Sequence, residues 1–210
     1  ILLVNTNRAM QPYPVLPIGL CSLASLLHKY GHDVQVLDLC FVAQTEPAIR
    51  KMFEEFHPDI IGVGIRNLDN SDMIQFQWFL PEVQMMIQQI RRYSNAHMVL
   101  GGSALSVMPK AVMDYMQCDL GVIGDGEQPF LDLLATLEKK EEIASLPGLC
   151  GYLNGQWFSN LKNPVVDYEP YGTTDMHPWI DVKTYLARCS IYPLQSNRGC
   201  AFSCIYCTYA

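Results

Sequence analysis

Five short apolar runs, alternating with stretches of helical pattern, constrain the fold of this chain more than any other feature of its sequence. The runs lie at 1–5, 32–38, 59–65, 98–102 and 119–124, and the helical patterns lie at 18–30, 46–56, about 71–93, 109–116 and 128–140. Strands this apolar are typical of parallel sheets that are buried on both faces. The alternation therefore predicts an α/β fold, a doubly wound five-stranded parallel sheet of the Rossmann-like or flavodoxin-like kind.

The pattern changes after residue 142. Residues 149–158 predict a small β-hairpin around an Asn-Gly turn, and the proline-containing stretch 163–180 predicts a linker. A last apolar run, from Ser190 to Gln195, predicts a strand that begins another domain. We therefore expect three parts, at 1–142, 143–189 and 190–210.

Composition argues against several classes of partner. Half of the 210 residues are hydrophobic, 17% are charged and the net charge is −7. A negative net charge disfavours nucleic-acid binding, which needs clustered Lys and Arg. No apolar run approaches the ~20 residues of a transmembrane helix, so we expect no membrane span. Five of the eight cysteines are scattered in apolar contexts, which indicates core thiols in a protein of the reducing cytoplasm.

The other three cysteines, Cys200, Cys204 and Cys207, have CxxxCxxC spacing. Three thiolates leave one iron of a [4Fe–4S] cube without a protein ligand, and that iron is then open to a substrate or cofactor. Two aromatic residues, Phe202 and Tyr206, can shield such a cluster from water and oxygen. The alternatives are inert core thiols, or half of a zinc site whose fourth ligand lies elsewhere.

A second group of unusual residues lies where four of the predicted strands end. The loops are 13–20, 66–70, 101–106 and 124–127, and three of them contain glycine. Ligands of open parallel sheets bind at the carboxyl ends of the strands, and glycines there leave room for a bulky ligand. The alternative is that the glycines only close tight turns. No GxGxxG follows the first strand and no GxxxxGK[ST] occurs, which disfavours dinucleotide and P-loop sites.

Together these motifs resemble the cobalamin-dependent radical S-adenosylmethionine (SAM) enzymes. The RGCxFxCxYC stretch at 198–207 is similar to the cysteine loop that follows the first barrel strand in radical SAM enzymes. Residues 1 to about 140 are similar to the family's cobalamin-binding domain, and the matching stretches are PIGL at 17–20, GIRNLDN at 64–70, GGSA at 101–104 and GVIGDGE at 121–127.

The resemblance implies a cobalamin-binding domain at 1–142, a hairpin and linker at 143–189, and the start of a truncated radical SAM domain at 190–210. It also implies three cofactors: cobalamin, a [4Fe–4S] cluster and SAM. Cys200, Cys204 and Cys207 would ligate the cluster, and Tyr206 would lie near the SAM adenine. The positions that match the family's cobalamin contacts are Pro17, Gly19, Arg66, Asn67, Asp69, Gly101, Gly102, Ser103, Gly124, Gly126 and Glu127.

One motif of many cobalamin proteins, DxHxxG, is absent. In those proteins its histidine ligates cobalt from below. Neither His28 nor His32 fits the motif, and we expect both to be ordinary surface residues. The resemblance then implies that cobalamin binds with its benzimidazole displaced and with no histidine beneath cobalt.

The activity that the resemblance implies is radical methylation of a small molecule, with a one-electron reductant such as flavodoxin or ferredoxin. Ring formation or rearrangement with the same cofactors stays open, as does a Rossmann-like binding module with another ligand or none. Only three residues follow Cys207, whereas a barrel needs on the order of 200 residues. We therefore expect the sequence to belong to a longer enzyme.

Overall fold

The computed structural model describes residues 1–160, 175–196, 198–199, 202, 204–205 and 207. The strands are β1 (Leu2–Asn5), β2 (Gln35–Asp38), β3 (Ile60–Gly64), β4 (His97–Gly101), β5 (Leu120–Val122), β6 (Leu149–Leu153) and β7 (Gln156–Ser159). The helices are α1 (Ile18–Lys29), α2 (Thr45–Glu55), α3 (Leu80–Tyr93), α4 (Ser103–Val107), α5 (Pro109–Met116), α6 (Glu127–Lys139) and α7 (Val182–Cys189).

The strands form one sheet in the order β2-β1-β3-β4-β5-β6-β7. The first five in sequence are parallel, and their spatial order, 2-1-3-4-5, is the flavodoxin-like one. The predicted doubly wound sheet is therefore confirmed. The predicted hairpin is also present, but it extends the same sheet because β6 pairs antiparallel with β5.

Helices cover both faces of the sheet. In β1, Leu2 and Val4 pack among residues of α2, α3, α4 and α5, whereas Leu3 packs among residues of α1 and α6. All three side chains are fully buried. A strand buried on both faces has no side that must be polar, which explains why its sequence is a continuous apolar run.

Helix α3 begins at Leu80, and the prediction that it begins at Ser71 or Asp72 is wrong. Residues 66–79 form a loop because acidic side chains accept hydrogen bonds from the backbone that a helix would need. Asp69 Oδ1 accepts from the Ser71 amide (2.7 Å), and Asp72 Oδ1 accepts from amides two and three residues later (2.8 and 2.9 Å).

The segment before the cysteine loop also differs from its prediction. Residues 182–189 form α7, which Asp181 caps by accepting from the Thr184 amide (3.2 Å). The helix ends at Ser190 in a left-handed conformation, and 191–196 have no regular secondary structure. The predicted strand from Ser190 to Gln195 is therefore not formed, since a strand needs a hydrogen-bonded neighbour and the described residues supply none there. Most of the predicted linker lies outside the described residues, at 163–174.

Four of the five scattered cysteines are buried in the core, as predicted: Cys21, Cys40, Cys118 and Cys150. Burial raises the pKa of the Cys21 thiol to about 12, that of Cys118 to about 11 and that of Cys150 to about 12. The fifth, Cys189, is half-buried.

We predict that Gly151→Ala destabilises the fold by ~2 kcal/mol or more. Gly151 has a φ of +155°, and a Cβ there would fall on the carbonyl of Asp119, the residue before β5. The matched control is Gly155→Ala in the hairpin turn, where φ is +76° but a Cβ would meet nothing within 4 Å. Denaturant unfolding should show a loss of ~1 kcal/mol for the control. If the two variants lost equal free energy of unfolding, the proposed clash between the added Cβ and the Asp119 carbonyl would be contradicted.

We also predict slow alkylation of the core thiols. At pH 8 a thiol with a raised pKa has little thiolate, and the thiolate is the species that reacts. Iodoacetamide followed by peptide mass spectrometry should label the exposed Cys207 well before Cys21 or Cys150 in the folded, iron-free protein, and all of them equally in urea. Early labelling of Cys150 in the folded protein would contradict this placement.

Candidate functional site

A cavity of about 410 Å³ lies at the carboxyl edge of the sheet, where β1, β3, β4 and β5 end. Nine of the eleven positions predicted to contact cobalamin line it. They are Pro17, Gly19, Arg66, Gly101, Gly102, Ser103, Gly124, Gly126 and Glu127. The structure thus brings four loops that are far apart in sequence around one space.

The cavity extends down between the sheet and helices α1 and α6. Its lining there is apolar and includes Leu3, Val99 and Phe130, which belong to the core on this face. Gly62 of β3 lies in the same lining, and a Cβ on it would come within 2.6 Å of Leu3 Cδ2. The result is an apolar groove with a polar rim, the usual composition of a site for an organic ligand.

Two of the lining glycines leave space open. A Cβ on Gly19, in the first turn of α1, would meet nothing within 4 Å, and the same holds for Gly101 at the end of β4. Backbone alone therefore lines the cavity at these two points, and a ligand can approach it closely.

The loop after β4 is held by Gly102 and two serines. Gly102 has a φ of +97°, and a Cβ on it would fall on the carbonyl of Ile65 in the loop after β3. Ser103 Oγ donates to the Arg66 carbonyl. Ser106 Oγ donates to the Gly102 carbonyl (3.1 Å) and accepts from the Gly124 amide (2.8 Å). Ser106, which the sequence-based list omits, therefore ties helix α4, directly after β4, to the loop after β5.

Two predicted positions do not line the cavity. Asn67 and Asp69 lie in the loop that carries the exposed, cavity-lining Arg66. Asp69 uses its carboxylate within the loop, on the Ser71 amide. The Asn67 amide is best oriented to donate to the Arg66 carbonyl (2.9 Å) and to accept from the Arg66 guanidinium (3.0 Å). Both side chains therefore shape the loop from within.

The carboxylate of Glu127 has partners that the sequence does not reveal. Glu127 is the first residue of α6 and is buried. Its Oε1 accepts from Ser22 Oγ of α1 (2.9 Å) and from Arg198 Nη2 (2.5 Å). Arg198 Nη1 also lies 3.8 Å from Asp125 Oδ1. Arg198 comes two residues before Cys200, and it lines the cavity together with Pro193 and Gln195.

The segment from residue 175 to α7 is fixed to the sheet domain at two further points. Trp179 Nε1 donates to Ser25 Oγ of α1 (2.8 Å). The Tyr185 hydroxyl of α7 donates to Asp38 Oδ2 at the end of β2 (2.8 Å), and Asn5, which lines the cavity, donates to the other carboxylate oxygen (2.8 Å). Burial and the Asp38 carboxylate raise the pKa of the Tyr185 phenol, which keeps it a donor.

The predicted cluster ligands lie partly outside the described residues, since Cys200 and Tyr206 are not among them. Cys204 is half-buried and Cys207 is exposed. Nowhere in the described part of the chain do three His, Cys, Asp or Glu side chains converge as a metal site would require. The three-cysteine ligand set thus stays a prediction.

The two histidines considered in the sequence lie outside the cavity lining. His28 is exposed on α1, where its ring packs edge-on against Trp179 at 5.8 Å, and His32 is partly exposed. Among the described lining residues, none is a histidine.

A second cavity, of about 540 Å³, lies beside α2 and α3 and contains none of the predicted positions. Its charged residues pair with each other or with nearby groups: Arg8 Nε lies 2.8 Å from Glu82, and Glu46 lies 2.8 Å from Arg92. These charges are mutually neutralised, so the first cavity is the stronger candidate.

For the part of the chain that the structure describes, none of the helices has the length and apolarity needed to cross a membrane.

Comparison with protein families gives a match over most of the sheet domain. Residues 6–134 match the model described as "B12 binding domain". This range covers the strands β2 to β5 and all four loops at the cavity edge. The lining residues Pro193, Gln195 and Arg198 lie beyond it.

Similar proteins include two curated enzymes. The chain is 32% identical over 150 residues to tryptophan 2-C-methyltransferase of Streptomyces laurentii, a match that covers 70% of this chain and 25% of the relative. It is 27% identical over 203 residues to the anaerobic magnesium-protoporphyrin IX monomethyl ester cyclase of a Synechocystis species, covering 91% of this chain and 37% of the relative.

Among solved structures, the chain resembles TsrM of Kitasatospora setae, described as a radical S-adenosylmethionine methyltransferase with cobalamin and a [4Fe–4S] cluster bound. The TM-score is 0.84 at 27% identity, and the match covers 99% of this chain and 41% of that one. The chain therefore spans between a quarter and about two fifths of the length of these three proteins.

The fold, the cavity at its carboxyl edge and the family match agree: the chain belongs to the B12-binding domain family, in the form carried by cobalamin-dependent radical SAM enzymes.

Proposed function

We propose that this chain binds cobalamin at the carboxyl edge of its sheet and forms the N-terminal part of a cytoplasmic radical SAM methyltransferase. The observation that carries the proposal is the cavity, which lies within a B12-binding domain and is lined by nine of the eleven predicted contact positions. No catalytic side chain is assigned, because the contacts to the substrate and most of the catalytic domain would come from the rest of a longer enzyme.

The residues present fit a large, flat organic cofactor with an elongated appendage. Gly19 and Gly101 leave open space at the rim. A large ring system could approach the backbone closely at these two positions. The apolar groove between the sheet and helices α1 and α6 has the depth and composition to take an appendage of the ligand. Binding without an imidazole beneath cobalt stays part of the proposal.

Within this proposal Cys200, Cys204 and Cys207 ligate a [4Fe–4S] cluster that binds SAM, with Tyr206 near the adenine. When bound, cobalamin would supply a transferable methyl group, and the cluster would supply the electron that cleaves SAM. A one-electron reductant such as flavodoxin or ferredoxin would recharge the cluster. The substrate would be a small molecule, as it is for the methyltransferase relative that acts on tryptophan.

A second candidate function is ring formation with the same cofactors. The observation in its favour is the match to the magnesium-protoporphyrin cyclase, which extends over 91% of this chain. A binding module with another ligand, or none, is the third candidate. The corrin absorbance of the purified protein separates this third candidate from the two enzymes, and product analysis separates the enzymes from each other.

We predict that the full-length protein, reconstituted with hydroxocobalamin, retains a corrin spectrum after desalting and that Gly101→Val lowers its corrin affinity about ten- to hundredfold. The added side chain would occupy space that the ligand needs, an overpacking cost of about 1–3 kcal/mol. The control is His97→Val, at the exposed start of the same strand. A wild-type protein that retains no corrin would overturn the cobalamin assignment, and equal binding by both variants would move the site elsewhere.

We further predict that replacing Cys200, Cys204 and Cys207 together with Ala abolishes iron and sulfide binding but leaves corrin binding within about twofold of wild type, because the described lining of the cavity includes none of the three cysteines. Cys189→Ala, close in sequence but outside the motif, is the control and should retain iron. Iron and acid-labile sulfide assays measure the outcome, and retained iron in the triple variant would disprove the cluster assignment.

A further inference from the structure

Glu127 and Arg198 form the ion pair with the least solvent access among the described ion pairs. Their side chains are 5% and 13% exposed, and the closest oxygen–nitrogen distance is 2.5 Å. By contrast, Arg50 and Glu54 on α2 are 61% and 66% exposed and lie 3.7 Å apart. An exposed pair of that kind contributes little to stability, whereas removing one member of a buried pair leaves an uncompensated charge.

The pair connects two parts of the chain that are distant in sequence and meet at the cavity. Glu127 begins α6 directly after the glycine-rich loop that follows β5, and Ser22 Oγ of α1 donates to the same carboxylate oxygen (2.9 Å). Arg198 belongs to the segment that leads into the cysteine loop, and Gly199, with a φ of +76°, turns the chain directly after it. Both charged residues line the cavity.

One oxygen of the Glu127 carboxylate is used within the protein. Glu127 Oε1 already accepts two hydrogen bonds from protein donors, Ser22 and Arg198. The guanidinium is likewise directed at Glu127, with Asp125 3.8 Å from its other terminal nitrogen. Asp125 and Glu127, which follow β5, therefore both face the guanidinium of Arg198, two residues before Cys200.

We infer that Glu127 and Arg198 are positioning residues, whose ion pair fixes the start of the CxxxCxxC loop against the wall of the cofactor cavity. This inference rests on the proposed function, because its purpose is to set the distance and orientation between two cofactors. It assigns Glu127 a different role from the direct cobalamin contact that the family resemblance implies.

The test uses the full-length protein reconstituted with hydroxocobalamin, iron and sulfide. The variants are Glu127→Gln, Arg198→Met and the double variant, with Arg198→Lys as a milder change in case a variant does not fold. Glu54→Gln and Arg50→Met are the matched controls at the exposed pair.

Hydrogen exchange of 191–199 reports how firmly the segment is held. The magnetic interaction between cob(II)alamin and the reduced cluster, seen in electron paramagnetic resonance, reports their relative placement.

In the two single variants we expect exchange of 191–199 to be about tenfold faster or more, and the magnetic interaction to weaken or broaden. Corrin and iron contents are measured in every variant, so that exchange rates and spectra are compared at known cofactor occupancy. The double variant should be no worse than the worse single variant, because both changes break the same contact. The controls should match wild type in every measurement.

Three results would overturn the inference. They are unchanged hydrogen exchange of 191–199 in both single variants, additive increases in exchange in the double variant, or loss of corrin in Glu127→Gln alone. The third result would mean that Glu127 contacts the cofactor directly. If wild type retains no corrin, the proposed function fails, while the exchange data still decide whether the ion pair holds the segment.

Discussion

The connections that leave β1 and β3 run to opposite faces of the sheet, and the rest of the structure depends on this reversal. The chain after β1 enters α1, which packs on one face, and the chain after β3 leads to α3 on the other. Because the two strands are neighbours, their loops diverge and leave a crevice between them. The four loops, three of which contain glycine, the apolar groove beneath them and the polar rim all lie at that crevice. Strand order therefore determines where a ligand can bind before any side chain is considered.

Local signals in the sequence were sufficient for most of the sheet domain. The helix Pro109–Met116 begins and ends where predicted, because a proline in its first turn and a change of pattern after it are both short-range cues. The start of helix α3 was predicted wrongly because Ser71 and Asp72 resemble helix caps in sequence, whereas the Asp69 and Asp72 side chains form local turns with the backbone. The strand predicted after Ser190 failed for another reason: an apolar run becomes a strand only beside a partner, and a partner is a property of the whole fold.

Contacts between distant residues account for what the sequence could not predict at the site. Ser22, Glu127 and Arg198 are separated by 105 and 71 positions, and no periodicity links them. Glycines were easier to recognise, because their effect on the backbone is local and several stood together. A motif can thus indicate that a residue matters without indicating which group it contacts, and Glu127 illustrates the difference: its position was predicted, while its two partners were not.

The cavity wall contributed by Pro193, Gln195 and Arg198 comes from outside the region, 6–134, that matches the B12-binding family. The region that matches the family is therefore shorter than the region that lines the cavity. A chain cut at the end of the matched region would keep the five parallel strands and the glycine-containing loops, but it would lose this wall and leave the crevice open on that side. Transplanting this domain into another protein would require the host to supply the missing side. Recombination among enzymes of this kind would thus be constrained at a point well beyond the last parallel strand.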